Sequence, residues 1–270
     1  SSSAVLQGSA GAKYYEGQAD AVAAVPAVGD FQDHSSSGHT VTAVASAVVS
    51  TTQKKFGTSS LYFPKTSANI NNANYFSISD NATWDYGTGD FTWEMWVNVT
   101  AIDRQMKIFG SQGWSNSGAY DWIFDINPNR TLRVQLYNGS SGPDINTTAT
   151  LPVSTWTHLA ASRSSGTMKI FMDGVERASA TRAESLANNG TPYLGWKPAN
   201  NQDGFAGYMD EVRLSNTARY TSAFTPSTTA FTSDANTQLL IHGESQTAVA
   251  AIPASDSMSL LSTTTTAQTA

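Results

Sequence analysis

The segment from Trp156 to Asn216 constrains the fold most strongly, because its runs of alternating apolar and polar residues are separated by turn residues. A repeat of two residues is typical of β-strands, whose successive side chains point to opposite faces. Within the segment, Asp173-Gly174 predicts a two-residue hairpin, since both central positions of a type I′ turn require a positive φ. No run here has helical spacing, so the segment predicts an antiparallel sheet.

Short strand-like runs extend through residues 29–224. In the run FTWEMWVNVT, alternate residues from Phe91 to Val99 are apolar and fall on one face, while Thr92, Glu94, Trp96 and Asn98 fall on the other. About a dozen such runs and no evident helix predict a β-sandwich. The predicted strands are His39–Val44, Ala47–Thr51, Ser59–Phe63, Tyr75–Ile78, Phe91–Thr100, Lys107–Gly110, Asp121–Ile126, Thr131–Tyr137, Thr157–Ser162, Thr167–Met172, Tyr193–Trp196 and Gly207–Leu214.

The two ends of the chain differ in composition from its centre. Residues 1–28 are rich in small residues, and residues 225–270 are rich in Ser, Thr and Ala and close on STTTTAQTA. Segments of this composition bury little apolar surface and need a partner surface to become ordered. The sequence therefore predicts an N-terminal arm at 1–28, a sandwich at 29–224 and a C-terminal arm at 225–270, with an extra strand at 238–244.

Charged residues make up only 13% of the chain, against ~25% in an average globular domain. A surface of hydroxyl and amide groups suits a subunit packed into an assembly, and it also suits some extracellular proteins. The net charge is −6 and no basic cluster occurs, so we expect no nucleic-acid partner. No apolar run is long enough to span a bilayer, so we expect no membrane insertion. The absence of cysteine excludes disulfides, thiolate metal sites and a cysteine nucleophile.

Six motifs resemble, in order, the concanavalin A-like, laminin-G-like jelly-roll domain of the type found in bacteriophage structural proteins and bacterial surface proteins. They are DHSSSGHTVTA, KKFGTSSLYF, WDYGTGDFTWEMWV, WTHLAASR, MKIFMDG and GYMDEVRLSN, spread over roughly residues 30–225. The resemblance implies an all-β antiparallel sandwich of the jelly-roll type with extended terminal arms. The same fold carries lectins, adhesins, hydrolases and passive spacers, so function must be argued from individual sites.

One strand departs from the family pattern. Domains of this type usually begin with an apolar strand similar to LLLHF, but here the matching piece is QLLIHGE at Gln238–Glu244, near the C-terminus. This strand either folds back onto its own domain or completes the sheet of a neighbouring subunit by strand addition. The candidate assembly residues are Leu239, Leu240, Ile241 and His242.

The carboxylates do not form a catalytic pattern. A sandwich glycosidase needs an acid and a second carboxylate flanking the scissile bond, and no Glu-x-Asp-x-x-Glu run occurs. Glu94 is isolated, and no third acid joins Asp121 and Asp125. Asp210 and Glu211 are adjacent and are expected to point to opposite faces of their strand. We therefore predict no catalytic residues and no enzymatic activity.

The family resemblance also implies a structural calcium in some members, held by carboxylates and carbonyls. Asp210 in GYMDEVRL is the best candidate ligand, and Asp90 and Asp30 are weaker ones. The alternative is that Asp210 caps backbone donors or pairs with a base such as Arg213. No cofactor is otherwise expected.

Two loops have the chemistry of a sugar site, in which aromatic rings stack and amides bond to hydroxyls. They are GWSNSGAY, from Gly113, and WKPANNQDG, from Trp196. The alternative is that their tryptophans belong to the core or rim of the sandwich and that their amides only form turns. The candidate glycan-binding residues are Trp114, Tyr120, Trp196, Asn200, Asn201 and Gln202.

These features favour a non-enzymatic virion structural protein: a decoration, fibre or tail-associated subunit of a bacteriophage, located on the virion surface. It would assemble through its terminal arms with other copies of itself or with other virion subunits. The alternative is a carbohydrate-binding adhesion module on a phage or bacterial surface, with a host-surface glycan as its partner and an extracellular location.

Overall fold

A computed structural model describes residues 5–7, 13–15, 31–65, 74–80, 82–111, 121–137, 143–186, 191–195 and 204–244. The chain divides into two compact units, one formed by Gly29–Ser245 and the other by Ser1–Val28 together with Gln246–Ala270. In the terminal unit, strand β1 (Val5–Gln7) pairs antiparallel with β2 (Lys13–Tyr15). Residues 225–244, assigned above to the C-terminal arm, belong to the larger unit.

The larger unit is all-β, as the sequence predicts, and the helical element among its described residues is one short 3-10 turn, Ala82–Trp84. No helix in the described parts of the chain is long and apolar enough to cross a membrane. The strands follow in chain order: β3 (Val41–Val44), β4 (Val48–Ser50), β5 (Ser60–Phe63), β6 (Tyr75–Ile78), β7 (Phe91–Val99), β8 (Met106–Ser111), β9 (Asp121–Ile126), β10 (Thr131–Tyr137), β11 (Ile145–Thr150), β12 (Thr157–Ser164), β13 (Thr167–Met172), β14 (Val175–Thr181), β15 (Pro192–Leu194), β16 (Gly207–Ser215) and β17 (Thr237–Ile241).

Two antiparallel sheets form the sandwich. The seven-stranded sheet has the order β11-β10-β9-β8-β15-β6-β3, and the eight-stranded sheet has the order β14-β13-β12-β7-β16-β5-β4. The eighth strand, β17, also pairs with β16. β5 pairs with the first residues of β16 and β17 with the last ones, so the two short strands share one side of β16.

The core lies between the inner faces of the two sheets, where apolar side chains are removed from water. Alternate residues of β7, from Phe91 to Val99, are fully buried there, as the alternation predicts. The Trp93 ring packs 4.9 Å from the Trp122 ring of the opposite sheet, measured between ring centroids. Core packing of this kind holds the two sheets at a fixed separation and gives rigid support to their outer faces.

The hairpin at Asp173-Gly174 has the predicted geometry. Asp173 has φ 49° and Gly174 has φ 75°, so both central residues are left-handed, as a type I′ turn requires. The turn also packs against a later part of the chain, since a Cβ added to Gly174 would lie 1.8 Å from the Phe224 carbonyl oxygen. Glycine is therefore required here for both backbone conformation and close approach.

The outer face of β7 is buried as well, which the strand pattern alone does not predict. Thr92, Glu94, Trp96 and Asn98 are each no more than 6% exposed. The described segment 216–236 crosses this face and brings Phe231 into an apolar cluster with Trp96. The chain thus covers part of the outer face of its own eight-stranded sheet.

Candidate functional site

A row of residues crosses the outer face of the seven-stranded sheet. Ser77 is opposite Tyr193, Tyr193 is opposite Gly110, Gly110 is opposite Ile123, and Ile123 is opposite Gln135. Residues directly opposite each other on antiparallel strands point to the same face. We call this set the tyrosine row, and it faces away from the core.

Two partly exposed tyrosines meet at this row. The rings of Tyr75 and Tyr193 pack edge to face, 5.4 Å apart between centroids and 74° between planes. Gly110, next to Tyr193, has no side chain to cover the ring, and even a Cβ there would lie 3.1 Å from the Trp122 carbonyl oxygen. Burial, with the neighbouring Tyr193, raises the pKa of Tyr75, so its phenol stays neutral and both donates and accepts hydrogen bonds.

A charged cluster lies beside the tyrosine row on the same face. Asp125 is fully buried, and its Oδ2 lies 2.6 Å from Lys107 Nζ and 2.7 Å from Arg133 Nη2. Gln105 Nε2 donates to the same oxygen over 2.9 Å, and Arg133 Nη1 lies 3.1 Å from Asp144. Burial lowers the pKa of Arg133, but its bonds with Asp125 and Asp144 outweigh that effect and raise the pKa. The cluster holds polar side chains rigidly on a sheet face.

The predicted glycan residues Trp114, Tyr120, Trp196, Asn200, Asn201 and Gln202 all lie outside the described residues. Of the described residues that flank them in the chain, Ser111 lies opposite Pro192. Gly195 donates its N–H to the Ile108 carbonyl.

Sequence reasoning missed Tyr75 and Tyr193 as site residues. The sequence predicts each only as part of a strand, because their proximity depends on the pairing of β6 with β15, which are far apart in the chain. The available signal is that each tyrosine precedes an apolar residue, Phe76 or Leu194, so alternation puts the tyrosine on the outer face. The sequence offers Asp125 as a carboxylate without a third acid, whereas its cation partners, Lys107 and Arg133, come from two other strands.

Asp210 and Glu211 do not point to opposite faces, so that expectation is wrong. The register of β16 against β7 shifts between Asp210 and Arg213, and Glu211 has φ 53°. A β-bulge of this kind inserts one extra residue and breaks the alternation of side chains. Glu211 accepts a hydrogen bond from Phe231 N–H over 2.6 Å and lies 2.9 Å from His242 Nδ1. Both carboxyl groups therefore reach the outer side of the sheet.

The surroundings of Asp210 do not fit a calcium site. Its Oδ2 accepts hydrogen bonds from the backbone N–H groups of Lys55, over 2.8 Å, and Phe56, over 3.1 Å. The two hydrogen bonds lower the pKa of Asp210, but burial and the neighbouring Glu211 outweigh them and raise the pKa to about 7. The described parts of the chain contain no group of three or more His, Cys, Asp or Glu side chains that could hold a metal ion. Asp210 caps backbone donors, whereas Asp90 accepts from Ser165 N–H and Asp30 is not described.

Glu94, isolated in the sequence, is the centre of a buried network. Its Oε1 lies 2.7 Å from Arg213 Nη2, and its Oε2 accepts a 2.6 Å hydrogen bond from Tyr220 Oη. His158 Nε2 lies 3.3 Å from Oε2. Burial alone raises the pKa of Glu94, but the contact with His158 and the charge of Arg213 outweigh it and lower the pKa. The network ties β7 and β16 to segment 216–236, which carries Tyr220.

The candidate assembly strand pairs within its own chain. Leu239, Leu240 and Ile241 are buried in β17 and lie opposite Leu214, Arg213 and Val212 of β16. His242, just beyond the strand, contacts Glu211.

The other edge of β17 is covered as well. His34 N–H donates to the Leu240 carbonyl over 2.7 Å, and Leu240 N–H donates to Asp33 Oδ1 over 3.0 Å. Ser35 Oγ donates to the Gln238 carbonyl. The structure therefore corresponds to the intrachain alternative, with both edges of the strand satisfied.

Residues 71–223, more than half of the chain, match the laminin-G-like family described as the concanavalin A-like lectin/glucanases superfamily. The chain belongs to this family. No curated protein sequence matches it. The predicted concanavalin A-like, laminin-G-like family and its antiparallel sandwich fold are thereby confirmed, whereas the bacteriophage type stays a prediction.

Solved structures similar to the chain show the same fold. Domain 4 of AbnA, a GH43 extracellular arabinanase from Geobacillus stearothermophilus, in complex with arabinotriose, has a TM-score of 0.50 and 17% identity, over 67% of this chain and 83% of that one. The binding domain of botulinum neurotoxin DC in complex with SialylT has a TM-score of 0.52 and 14% identity, over 70% of this chain and 45% of that one.

A putative carbohydrate binding protein from Bacteroides ovatus has 23% identity and a TM-score of 0.41, over 50% of this chain. The match spans only 39% of that protein's length. At such identities these likenesses concern the fold.

Proposed function

We propose that this protein is a carbohydrate-binding module without catalytic activity of its own. The observation that carries the proposal is the partly exposed Tyr75–Tyr193 pair, set beside hydrogen-bonding side chains on a rigid sheet face. Binding sites for small ligands combine aromatic surface with a few well-placed polar groups. Ser77 and Gln135 supply such groups in the tyrosine row, and the Asp125 cluster lies alongside.

The chemistry of this face suits a sugar. A sugar ring has apolar C–H faces, which stack on an aromatic ring, and hydroxyl groups around its edge, which need hydrogen-bond partners. The open flank of Tyr193 beside Gly110 gives room for stacking, and Gln135 and the phenols both donate and accept. The charged groups of the Asp125 cluster bond to one another, so this face favours a polyhydroxyl ligand over an ionic one.

The loop residues Trp114, Tyr120, Trp196, Asn200, Asn201 and Gln202 stay predictions from the sequence. The similar folds of an arabinanase domain solved with arabinotriose and of a neurotoxin binding domain solved with SialylT support the proposal.

A module of this kind acts outside the cell or at a surface, where polysaccharides and surface glycans are found. The partner we propose is a surface glycan, in agreement with the second function suggested by the sequence. The virion structural role and assembly through the terminal arms stay predictions, favoured by the low charge of the chain.

A glycan array with the full chain tests the proposal. We expect the protein to bind at least one class of glycan on the array. The Tyr193→Ala variant should lose that binding. Tyr193→Phe keeps the ring and should retain most of it. Lys169→Ala, on the other sheet, is the control and should bind like the parent. An array without hits, or equal binding by the parent and Tyr193→Ala, would refute the proposal.

A further inference from the structure

The accessible part of the tyrosine row is short. Ile123, next to Gly110 in the row, is only 3% exposed, so the accessible surface ends there. At the other end, Ser77 is opposite Thr42 of β3, which is the edge strand of the sheet. From Gly110 to Thr42 the surface crosses β8, β15, β6 and β3, and three strand spacings amount to about 14 Å. A ligand on the row therefore meets a surface that is bounded on both sides.

This surface offers few aromatic rings. β15 has three residues, of which Pro192 and Leu194 are buried, so Tyr193 is the one that faces outward. On β6, buried residues alternate with Tyr75 and Ser77, which face outward. Among the described residues of β3, β6, β8 and β15, the two tyrosines are the aromatic residues of the outer face. Stacking of a sugar on this part of the sheet therefore depends on these two rings.

The two rings cannot both stack on one flat ligand surface. The planes of Tyr75 and Tyr193 are 74° apart, so the edge of one ring points towards the face of the other. Stacking requires a ring face parallel to the face of the sugar. Sugar rings at the surface of a crystalline polysaccharide are parallel to one another, so such a surface would stack on one tyrosine at most. Both tyrosines are also only partly exposed, which keeps them from projecting towards a rigid solid.

Two perpendicular rings form a corner that fits one sugar residue. Such a residue can place a C–H face against one ring and its edge against the other, where the phenol donates and accepts hydrogen bonds. Ser77, opposite Tyr193, and Thr42, opposite Ser77, add hydroxyl groups on the β3 side of the corner. The next sugar of a chain would find no third ring on these strands.

The geometry of the tyrosine pair thus selects a class of carbohydrate. We propose that Tyr75 and Tyr193 together hold one sugar residue of a single soluble glycan chain, and that the site binds neither a run of stacked residues nor the surface of an insoluble polysaccharide. This inference rests on the proposed carbohydrate-binding function and adds the class of ligand to it. A protein with such a site attaches to individual chains rather than to a crystalline fibre.

Calorimetry with disaccharides and hexasaccharides of cellulose, chitin, xylan, arabinan and mannan tests the inference on the full chain. We expect the preferred disaccharide and its hexasaccharide to bind within about threefold of each other, because the longer chain only offers more copies of the same residue. A rise of about tenfold or more with length would show further stacked residues. That result would overturn the inference and leave the proposed function standing.

Variants of the two tyrosines test whether both rings hold the same residue. Tyr75→Ala and Tyr193→Ala should each weaken binding of the disaccharide by about tenfold or more. Tyr75→Phe keeps the ring and should keep most of the affinity, which separates loss of the ring from misfolding. Thr148→Ala, at an exposed position of β11 in the same sheet, is the control and should bind like the parent. A Tyr75→Ala variant that weakens binding of the hexasaccharide alone would assign the rings to different residues and contradict the inference.

Depletion by insoluble polysaccharides tests the second half of the inference. We expect the parent to stay in solution when it is mixed with microcrystalline cellulose or chitin powder. Depletion by either solid, without binding of the soluble hexasaccharide of the same sugar, would refute the inference but support a carbohydrate-binding function. A parent that binds neither the solids, the oligosaccharides nor any glycan on the array would overturn both.

Discussion

The outer faces of the two sheets differ in how much of each is covered by other parts of the chain. The eight-stranded sheet is largely covered by the chain itself, because segment 216–236 crosses it and buries Glu94 and Trp96. The seven-stranded sheet leaves Tyr75 and Tyr193 partly exposed, with charged residues that bond to one another beside them. The two inner faces meet in one common core. One outer face is therefore covered by the chain itself, while the other leaves two tyrosines partly exposed.

Each outer face nevertheless contains a fully buried carboxylate with several partners. Asp125 is held by Lys107 and Arg133, which come from its own sheet. Glu94 is held by Arg213 of the neighbouring strand and by Tyr220 of the covering segment. The first cluster therefore stiffens a sheet, whereas the second attaches an additional segment to one.

Removal of the Asp125 carboxylate tests how the buried cluster stabilises the seven-stranded sheet. It should lower the free energy of unfolding more than any other change proposed here. Asp125→Ala leaves the charges of Lys107 and Arg133 without their common partner, and breaking a buried ion pair costs about 3–5 kcal/mol. Urea denaturation measures the free energy of unfolding. Asp144→Ala is the control, because Asp144 is 29% exposed and its pair with Arg133 contributes about 1 kcal/mol or less. Equal losses in the two variants would contradict the assigned role of Asp125.

Asp210→Asn tests how the free energy of unfolding depends on pH through Asp210, which lies at the bulge in the eight-stranded sheet. A carboxyl group whose pKa is raised on folding binds more protons in the folded state, so stability falls as pH rises from about 3.8 to about 7. One pKa unit corresponds to about 1.4 kcal/mol, so this fall amounts to about 3–4 kcal/mol. Asparagine keeps an acceptor for Lys55 and Phe56 but does not titrate. The variant should lack the fall in unfolding free energy between these pH values, and parallel curves would exclude the effect.

Glu94→Gln loosens the covering segment. The variant keeps the shape of the side chain but leaves Arg213 without its counter-charge, a loss of about 1.5–3 kcal/mol for hydrogen bonds to charged groups. The pKa of Glu94 is lowered on folding, so the stabilisation exists above pH 4.5 and disappears as the pH falls through the folded-state value. Urea titrations at several pH values should therefore show parent and variant converging in acid. Glu176→Gln, in a surface pair with Lys169, should change little at any pH.

The sequence predicts the strands that carry strong apolar alternation and misses those that lack it. β11 (INTTAT) and β14 (VERASAT) were not among the predicted runs. Each is the edge strand of its sheet, so it buries less apolar surface and shows a weaker pattern. Polar outer positions of β7 gave no sign of burial, because the segment that covers them comes from more than a hundred residues later in the chain.

The candidate site is less predictable than the fold, because it too depends on contacts between residues that are distant in the chain. Tyr75 and Tyr193 meet through strand pairing, and a single sequence shows no pairing between distant strands. The bulge at Glu211 changes which side two carboxyl groups face. Its trace in GYMDEVRL is the spacing of three residues from Met209 to Val212, where regular alternation would give two. By contrast, Asp173-Gly174 was predicted with its turn type, because the required φ values depend on those two residues alone.

Arg219→Ala tests how segment 216–236 is held on the sheet. Of the changes proposed, it should lower the free energy of unfolding least. The Arg219 guanidinium donates to both oxygens of Asp234, over 2.9 and 2.8 Å, and its Nε donates to Ser215 Oγ over 2.6 Å. Asp234 is 46% exposed, so solvent screens the pair and its loss costs about 1 kcal/mol. Arg219→Lys keeps the charge but not the paired geometry, and should fall between parent and alanine variant. Hydrogen exchange should rise in residues 216–236 and stay unchanged in β9 and β10. A uniform rise across both sheets would mean that the segment and the sandwich unfold together.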